Sequence, residues 1–414
     1  MMQDLRATLL SKGVQMSVPE SVELGADVDP ERISGDNVII HAGCKIFGAD
    51  TFIGAGAEIG LEAPATIDSC QVGPNVKLSG GFFSQAVFLE GAACGAGAHV
   101  RSGTILEEGA SIAHSVGLKQ TILFPYVTLG SLINFCDCLM AGGTDSKHHS
   151  EVGSSYIHFN FTPQQDKATA SLIGEVPGGV MLDKRPIFLG GQGGLVGPCR
   201  LAYGITIAAG TINRKDELRP DRLIFGGSEK GGNIAYKPGV YRNVKRIFLN
   251  NLIYIGNLLA LGKWYREVRA QFISDAFPQV LYDGLTDRLD QAISERIKRL
   301  HAFFEKLAGS SENEASTSVR QKTALFERRD AVTDMLKEKR QLSDTDAVEA
   351  KAARERLLEA VKSGIRSSGP DYLSVIKNLP PDCRAQGTRW LQTTVDGLVG
   401  ETLDIVPEFK TKKG

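Results

Sequence analysis

Two cationic side chains and a group of histidines have the types and spacing that could support chemistry in this chain. Arg101 and Lys119 lie eighteen positions apart, and His148, His149 and His158 follow them. A guanidinium and an ammonium group held side by side form a clamp for a phosphate or a similar anion. An imidazole has a suitable unperturbed pKa for taking up a proton near neutral pH. The alternative interpretation is two unrelated surface cations and histidines that are merely solvated or hydrogen-bonded.

The elements that must position these side chains follow a six-residue repeat. Aliphatic residues recur at every sixth position in two series: Val100, Leu106, Ile112, Leu118, and Leu189, Leu195, Leu201, Ile207. This period matches neither a strand nor an α-helix, and it predicts a parallel β-helix of triangular section with one short strand on each side. Three hexads make one coil, and coils stack about 4.8 Å apart. Arg101 and Lys119 are therefore predicted to stack on one face.

Glycine is concentrated in the repeat region. The chain has 46 glycines, of which 35 fall in residues 1–232. Tight corners between short strands need backbone angles that glycine adopts at least cost. We predict ten to eleven coils between residues 22 and 225. The repeat is interrupted at residues 129–151 and 159–187, and such interruptions project as loops, where functional residues are often found.

Beyond residue 232 the apolar residues follow a helical period. Leu285, Leu289 and Ile293 step by four, which predicts a long amphipathic helix, and a further helix is predicted over residues 241–273. The predicted organisation is a mainly β domain followed by an α-helical domain. Its divisions are a lead-in (1–20), the β-helix (21–232), a helical region (233–308), a polar linker (309–320) and a C-terminal helical region (321–414).

The composition excludes several classes of protein. With 47 Lys and Arg residues against 48 Asp and Glu residues, binding of nucleic acid through bulk positive charge is not expected. The N-terminus lacks the apolar core of a secretory signal, and the apolar run at residues 252–261 is about half of the roughly 20 residues that span a bilayer. The seven cysteines fit reduced, packed thiols. We expect a cytoplasmic protein with no membrane span and no nucleic-acid partner.

Five segments in fixed order carry a family resemblance. The first, residues 101–120, contains Arg101-Ser102-Gly103, Glu107-Glu108-Gly109-Ala110 and Lys119. The others are LGSLINFCD (129–137), VGSSYIHFNF (152–161), IFLGGQGGLVGP (187–198) and IAAGT (207–211). In these segments the chain resembles the acetyltransferase domain of the bacterial bifunctional N-acetylglucosamine-1-phosphate uridylyltransferase/glucosamine-1-phosphate N-acetyltransferase. The resemblance covers residues 19–214, and it implies a left-handed β-helix that forms a homotrimer with sites between adjacent subunits.

The resemblance implies roles for individual residues. Arg101 and Lys119 would bind the sugar 1-phosphate or a comparable anion. Asn160 and Phe161 would line the site between subunits. Acetyl-CoA would bind along four small residues of later coils: Ser154, Gly191, Ala208 and Ala209.

Two positions depart from the family pattern. The family's catalytic histidine falls on Ser131, and its sugar-contacting tyrosine falls on Asn134. A serine hydroxyl does not take up a proton near neutral pH, so the base must come from elsewhere. We predict that one of three nearby histidines supplies it: His148, His149 or His158. Ser131 and Asn134 remain predicted substrate contacts, together with Lys167 from the second loop.

A metal site is not predicted. Three histidines invite comparison with β-helical carbonic anhydrases, but those enzymes space their zinc ligands about two coils apart with a five-residue pair, which this sequence does not do. Cys136 and Cys138 lack the second paired cluster of a structural zinc site.

These features predict an acyl-CoA-dependent acetyltransferase that acts on an amino-sugar phosphate or a nucleotide sugar, with acetyl-CoA as co-substrate. The substrate amine or hydroxyl would attack the thioester directly, and backbone N–H groups near Ser154 would hold the oxyanion. Because only residues 1–20 precede the predicted β-helix, we do not expect the chain to form the UDP bond. The alternative is a non-catalytic β-helix that binds a nucleotide sugar or CoA, or serves as a scaffold, and the loss of the family's histidine supports it.

Overall fold

A computed structural model describes residues 2–226, 240–308, 316–341 and 348–410. Its first half is built from short β-strands. Their bounds are β1 Glu23–Leu24, β2 Ile39–Ile40, β3 Lys45–Phe47, β4 Phe52–Ile53, β5 Glu58–Ile59, β6 Ala65–Asp68, β7 Gln71–Val72, β8 Lys77–Leu78, β9 Gly81–Ser84, β10 Ala86–Phe88, β11 Ala93–Cys94, β12 Ala98–Val100, β13 Thr104–Leu106, β14 Ser111–Ile112, β15 Gly117–Leu123, β16 Thr128–Leu129, β17 Asn134–Met140, β18 Gly143–Asp145, β19 His148–His149, β20 Glu151–Val152, β21 Ile157–Phe159, β22 Ser171–Ile173, β23 Phe188–Leu189, β24 Gly194–Val196, β25 Arg200–Leu201, β26 Thr206–Ile207, β27 Ile212–Asn213 and β28 Leu223–Ile224.

The strands form the three faces of a parallel β-solenoid of about eleven turns. Face 1 is β2-β5-β8-β11-β14-β16-β20-β23-β26-β28. Face 2 is β1-β3-β6-β9-β12, the first halves of β15 and β17, and β21-β24-β27. Face 3 is β4-β7-β10-β13, the second halves of β15 and β17, and β22-β25. Each turn of the chain visits faces 1, 2 and 3 in that order, which confirms the parallel β-helix predicted from the hexads.

The hexad residues fill the interior of the solenoid. Val100 pairs in register with Leu118 of the next coil, and both side chains are fully buried. Burial of such a ladder of aliphatic side chains stabilises each coil by about 1.5–3 kcal/mol per residue. Gly81, the first residue of β9, shows why glycine recurs where strands begin. Its φ is +132°, and a Cβ there would lie 2.2 Å from the carbonyl oxygen of Ala98.

The α-helices of the described ranges lie mostly after the solenoid. Their bounds are α1 Met2–Lys12, α2 Val176–Gly179, α3 Val244–Glu267, α4 Gln279–Glu305, α5 Ser316–Glu327, α6 Arg329–Arg340, α7 Val348–Ser368, α8 Tyr372–Lys377 and α9 Pro381–Ile405. Short 3-10 helices span Pro19–Ser21, Pro30–Arg32, Arg269–Phe272 and Pro407–Phe409. Helices α3 and α4 correspond to the two long helices expected after residue 240. Among the described residues, no helix combines the length and apolar character needed to cross a membrane.

The helical region packs on face 3. Helix α4 contacts β7, β10 and β13, and helix α3 contacts β22. Buried ion pairs hold both edges of this contact. At the corner between faces 2 and 3, Arg296 donates to Asp137 at 2.7 Å, and at the corner between faces 3 and 1, Arg269 pairs with Glu108. The guanidinium of Arg269 also lies over the ring of Tyr372, 3.8 Å from its centroid.

Two of the expected boundaries remain predictions. The proposed division at residue 232 falls between 226 and 240, outside the described residues. Of the predicted linker at 309–320, residues 309–315 are also outside them, whereas residues 316–320 form the first part of α5.

Candidate functional site

The two predicted cations are neighbours on face 2. Val100 pairs with Leu118, and the backbone N–H of Arg101 donates to the carbonyl of Leu118 at 3.0 Å. Arg101 and Lys119 therefore occupy equivalent places on consecutive coils, as their spacing of eighteen predicts. Both side chains are half-buried.

Cys136 lies beside the cations on the next coil. It is in register with Lys119, and a guanidinium N–H of Arg101 donates to its sulfur at 3.5 Å. Burial raises the pKa of the Cys136 thiol, while the positive charges of Arg101 and Lys119 act in the opposite direction. The positive charges of Arg101 and Lys119 thus both act on the sulfur of Cys136 on face 2. The Nε of Arg101 is buried and has no hydrogen-bond partner.

A column of short side chains runs along the corner between faces 1 and 2. Backbone bonds link Leu132 to His114, Ser155 to Ser131, Gln192 to Ser154, and Gly210 to Gly191, each N–H donating to a carbonyl at 2.8–3.1 Å. This ladder places one residue of each successive coil at the same corner position: His114, Ser131, Ser154, Gly191 and Ala209. The structure therefore brings four of the predicted site residues together, with Ala208 directly before Ala209.

Side-chain hydrogen bonds connect the lower part of this column. The hydroxyl of Ser131 is 2.9 Å from Nδ1 of His114, and the backbone N–H of Ser131 donates to the hydroxyl of Ser154 at 3.1 Å. At Gly191 a Cβ would lie 2.8 Å from the carbonyl oxygen of Ser154. The absence of a side chain at this position, where the resembling family has serine, follows from that close approach.

Asn134 lies between the corner column and the cations. It pairs with Gly117 of the preceding coil and Ile157 of the following one, and its side chain is exposed. Its amide oxygen accepts a hydrogen bond from the thiol of Cys136 at 3.2 Å. Asn134 thus shares face 2 with Arg101 and Lys119.

The second predicted loop is attached to the helical region. The amide of Asn160 donates to Asp137 at 2.6 Å, the carboxylate that also accepts from Arg296. Lys306 donates to the carbonyls of Gln164 and Gln165 at 2.9 and 2.8 Å. Phe161 is 62% exposed and Lys167 is half-buried. Asn160 is therefore engaged in structure, while Phe161 is free to contact another molecule.

His148 and His149 lie on a hairpin at a different corner. Strands β18 and β19 pair antiparallel after β17 leaves face 3, so the hairpin stands between faces 3 and 1. His148 is exposed, with Nδ1 3.4 Å from Asp145. The backbone N–H of Lys147 is the main cause that lowers the pKa of Asp145 to about 2. Nδ1 of His149 is buried and has no hydrogen-bond partner.

His158 is enclosed in the solenoid interior. It is 1% exposed, and its ring nitrogens lie 2.7 Å from the carbonyl of Cys136 and 2.7 Å from the hydroxyl of Ser171. Burial lowers its pKa to about 4. The structure does not bring this imidazole to the surface that carries Arg101 and Lys119. In the described ranges, no group of three or more His, Cys, Asp or Glu side chains has the arrangement of a metal site.

His114 is the residue that the sequence-based selection missed. It lies within the first resembling segment and is exposed at the corner column. Its distance from Ser131 is seventeen positions, one fewer than a regular coil, so counting by eighteen does not pair the two residues. The strand register that does pair them, Ser111 with Thr128, is visible only in the structure.

Comparison with known proteins supports the resemblance seen in the motifs. No family model matches the chain. Over 209 residues it is 27% identical to the bifunctional protein GlmU of Thermotoga petrophila and 28% identical to that of Pelobacter propionicus, and over 222 residues it is 27% identical to that of Trichlorobacter lovleyi. These matches cover 50%, 50% and 53% of this chain and 41%, 40% and 43% of the relatives. Half of the chain is thus homologous to GlmU, although it spans less than half the length of these relatives.

Two solved structures are similar to part of the chain. The polysialic acid O-acetyltransferase OatWY is 13% identical, covering 56% of this chain and 91% of its own, with a TM-score of 0.19. The UDP-N-acetylglucosamine acyltransferase of Campylobacter jejuni is 13% identical, covering 51% and 69%, with a TM-score of 0.16. The strand register of this chain itself defines its solenoid.

Proposed function

We propose that this protein is an acyl-CoA-dependent acyltransferase that moves an acetyl group from acetyl-CoA to an amino-sugar phosphate or a nucleotide sugar. Homology to GlmU over half of the chain supports the sugar-related class. The motifs that align with an acetyltransferase domain support the acyl donor. The proposal concerns the solenoid, since the match to these relatives covers only that share of the chain.

The cation pair on face 2 is the observation that carries the proposal. Arg101 and Lys119 are half-buried on consecutive coils, and one donor of Arg101 has no partner. Among the described residues neither side chain forms an ion pair with a carboxylate. Two uncompensated cations at strand spacing are suited to a phosphate, which accepts several charge-assisted hydrogen bonds at once.

The corner column would accept the acyl donor. Ser154, Gly191, Ala208 and Ala209 carry small side chains, so an extended pantetheine chain could approach their backbone closely. The acceptor amine would attack the thioester carbonyl, with backbone N–H groups near Ser154 stabilising the oxyanion. Asn134 lies between this column and the cations, in the position to contact the sugar.

A homotrimer through face 2 is part of the proposal. Face 3 is covered by helices, whereas face 2 and its borders expose six large apolar side chains: Phe82, Leu132, Ile157, Phe159, Phe161 and Ile212. Exposed apolar side chains concentrated on one face favour an interaction site there. Pairing of face 2 with a neighbouring solenoid would place the cation pair in a groove between subunits.

A thiol-release assay with acetyl-CoA and a panel of amino-sugar acceptors tests the function. With glucosamine 1-phosphate as acceptor, Lys119→Ala should lower kcat/KM by about tenfold to a hundredfold, the value of a lost charge-assisted hydrogen bond. Lys77→Ala is the matched control, because Lys77 is an exposed lysine on face 1. Full activity of the Lys119 variant would contradict the phosphate clamp. Binding of acetyl-CoA without thiol release across the panel would favour the non-catalytic alternative.

A further inference from the structure

An exposed imidazole stands in the corner column, on the coil that also carries Lys119. His114 belongs to the same coil as Lys119, five residues earlier, and its corner column continues through Ser131 and Ser154. Among the described residues, the helices that follow the solenoid pack on the strands of face 3. The imidazole of His114 is therefore available to a ligand that extends from the cation pair to the column.

One nitrogen of this imidazole is held and the other is free. Nδ1 of His114 is 2.9 Å from the hydroxyl of Ser131, and Nε2 has no hydrogen-bond partner among the described residues. If Nδ1–H donates to the Ser131 oxygen, Nε2 carries the lone pair and faces outward. A hydrogen bond at one ring nitrogen selects the tautomer and orientation at the other. This is the arrangement that a general base requires.

The three histidines considered from sequence do not share this geometry. His158 has both ring nitrogens bonded inside the solenoid. His148 and His149 are on the β18–β19 hairpin, which leaves the solenoid between faces 3 and 1. Of these four imidazoles, His114 is the one that belongs to both the corner column and the coil of Lys119. A further exposed imidazole, that of His99, lies on face 2 in register with Gly117 and stacks on the ring of Phe82, with the ring centroids 5.2 Å apart.

We infer that His114 is the catalytic base of the acyl transfer and that Ser131 is the positioning residue that orients its imidazole. The inference rests on the proposed function. The acceptor nitrogen forms a bond to the thioester carbonyl carbon, and the carbon–sulfur bond breaks. The amine proton passes to Nε2 of His114 and then to the departing thiolate, which leaves as free CoA thiol. Nothing is oxidised or reduced in this step.

This arrangement gives the serine at position 131 a role. The resembling family has its histidine there, and in this chain the imidazole stands on the adjacent coil and hydrogen-bonds to the residue that replaced it. Adjacent coils are about 4.8 Å apart, so a base at either position can serve the same corner. In the inferred site, the proton acceptor therefore lies one coil away from the position that the resembling family uses.

Steady-state kinetics of the full chain with acetyl-CoA and its best acceptor test the inference. His114→Ala should lower kcat about a hundredfold or more, the usual contribution of a general base, while the KM values change little. Because the side chain is exposed, the variant should keep the wild-type melting temperature, and added imidazole should restore part of the rate. His301→Ala is the matched control, because His301 lies on helix α4 outside the solenoid, and it should retain activity. Loss of activity in His148→Ala or His149→Ala with His114→Ala fully active would overturn the inference.

A relocation variant provides the sharpest result. In His114→Ala/Ser131→His the imidazole returns to the neighbouring coil, and activity should recover at least tenfold over His114→Ala. Ser131→Ala should reduce kcat, and Ser131→Thr, which keeps a hydroxyl, should restore it. A merely structural role for Ser131 would not respond to the hydroxyl in this way.

The outcomes separate the inference from the function on which it rests. If the wild-type chain releases no thiol with any acceptor, the proposed function fails and the inference with it. If the wild type turns over and His114→Ala is fully active, only the inference is overturned. An acetylated Ser131, detected by mass spectrometry after incubation with acetyl-CoA alone, would also overturn it, because Ser131 would then be a nucleophile.

Discussion

Faces 2 and 3 of the same solenoid are built from the same repeat, but they differ in whether a helix supplies counter-ions to their charged side chains. At the edges of face 3, Asp137 and Glu108 are matched by Arg296 and Arg269 from the helical region, in ion pairs that are almost fully buried. On face 2, Arg101 and Lys119 have no carboxylate partner among the described residues. The comparison shows that the buried carboxylates at the edges of face 3 are structural because helices supply their counter-ions, whereas the side chains of Arg101 and Lys119 remain available for a ligand.

Breaking a charge pair on face 3 should have the largest effect on stability. Arg296→Met leaves the carboxylate of Asp137 buried with only Asn160 as a donor, and loss of one partner of a buried pair costs about 3–5 kcal/mol. Arg101→Met on face 2 should change stability by less than about 1 kcal/mol. Denaturant unfolding of both variants measures the difference.

A double variant checks that the cost arises from the unpaired charge. Asp137 has a positive φ of 60°, a conformation that asparagine also tolerates. Arg296→Met/Asp137→Asn should therefore recover much of the stability lost in Arg296→Met. No recovery would mean that the helical region depends on Arg296 for packing rather than for charge.

The interior His158 should couple the stability of the solenoid to pH. Burial lowers the pKa of His158 to about 4, below its value in an unfolded chain, so its contribution is present above about pH 6.5 and is lost as pH falls toward 4. The loss amounts to about 3 kcal/mol. His158→Asn should flatten the dependence of unfolding free energy on pH between 7 and 4.

The wild-type chain, unfolded over the same pH range, is the control for that measurement. An unchanged slope in the His158 variant would contradict the enclosed, neutral imidazole described for the interior.

The smallest effect on stability, but a clear effect on assembly, is expected from a charge on face 2. Ile157→Asp introduces a carboxylate among the exposed apolar side chains and should convert a trimer into a smaller species in light scattering after gel filtration. Phe188→Asp is the control, because Phe188 is 40% exposed on face 1 against 43% for Ile157 on face 2. If Ile157→Asp stays in the wild-type assembly, face 2 is not the subunit interface.

The regular part of the fold could be predicted from the sequence, because in a solenoid the number of residues between two positions determines which coil and face each of them occupies. Val100 and Leu118 are eighteen apart and lie one coil apart, so Arg101 and Lys119, which follow them, could be paired by counting. The 3.6 period after residue 240 likewise indicated long helices. The sequence contained no comparable indication of the face that these helices cover. The contact that fixes it joins Asp137 and Arg296, which are 159 residues apart.

The histidines show where counting fails. His158 is in register with the interior residue Leu195. Because an irregular loop separates the two residues, counting by six does not relate them, and the sequence did not indicate that the imidazole of His158 is in the interior. His114 and Ser131 lie on a shortened coil, which hides their contact from any fixed period. Short-range periodicity thus determined the solenoid, its helical partner and the cation pair. The placement of the imidazoles and the division into a covered and an open face depended on loop lengths and long-range packing, which only the tertiary structure resolves.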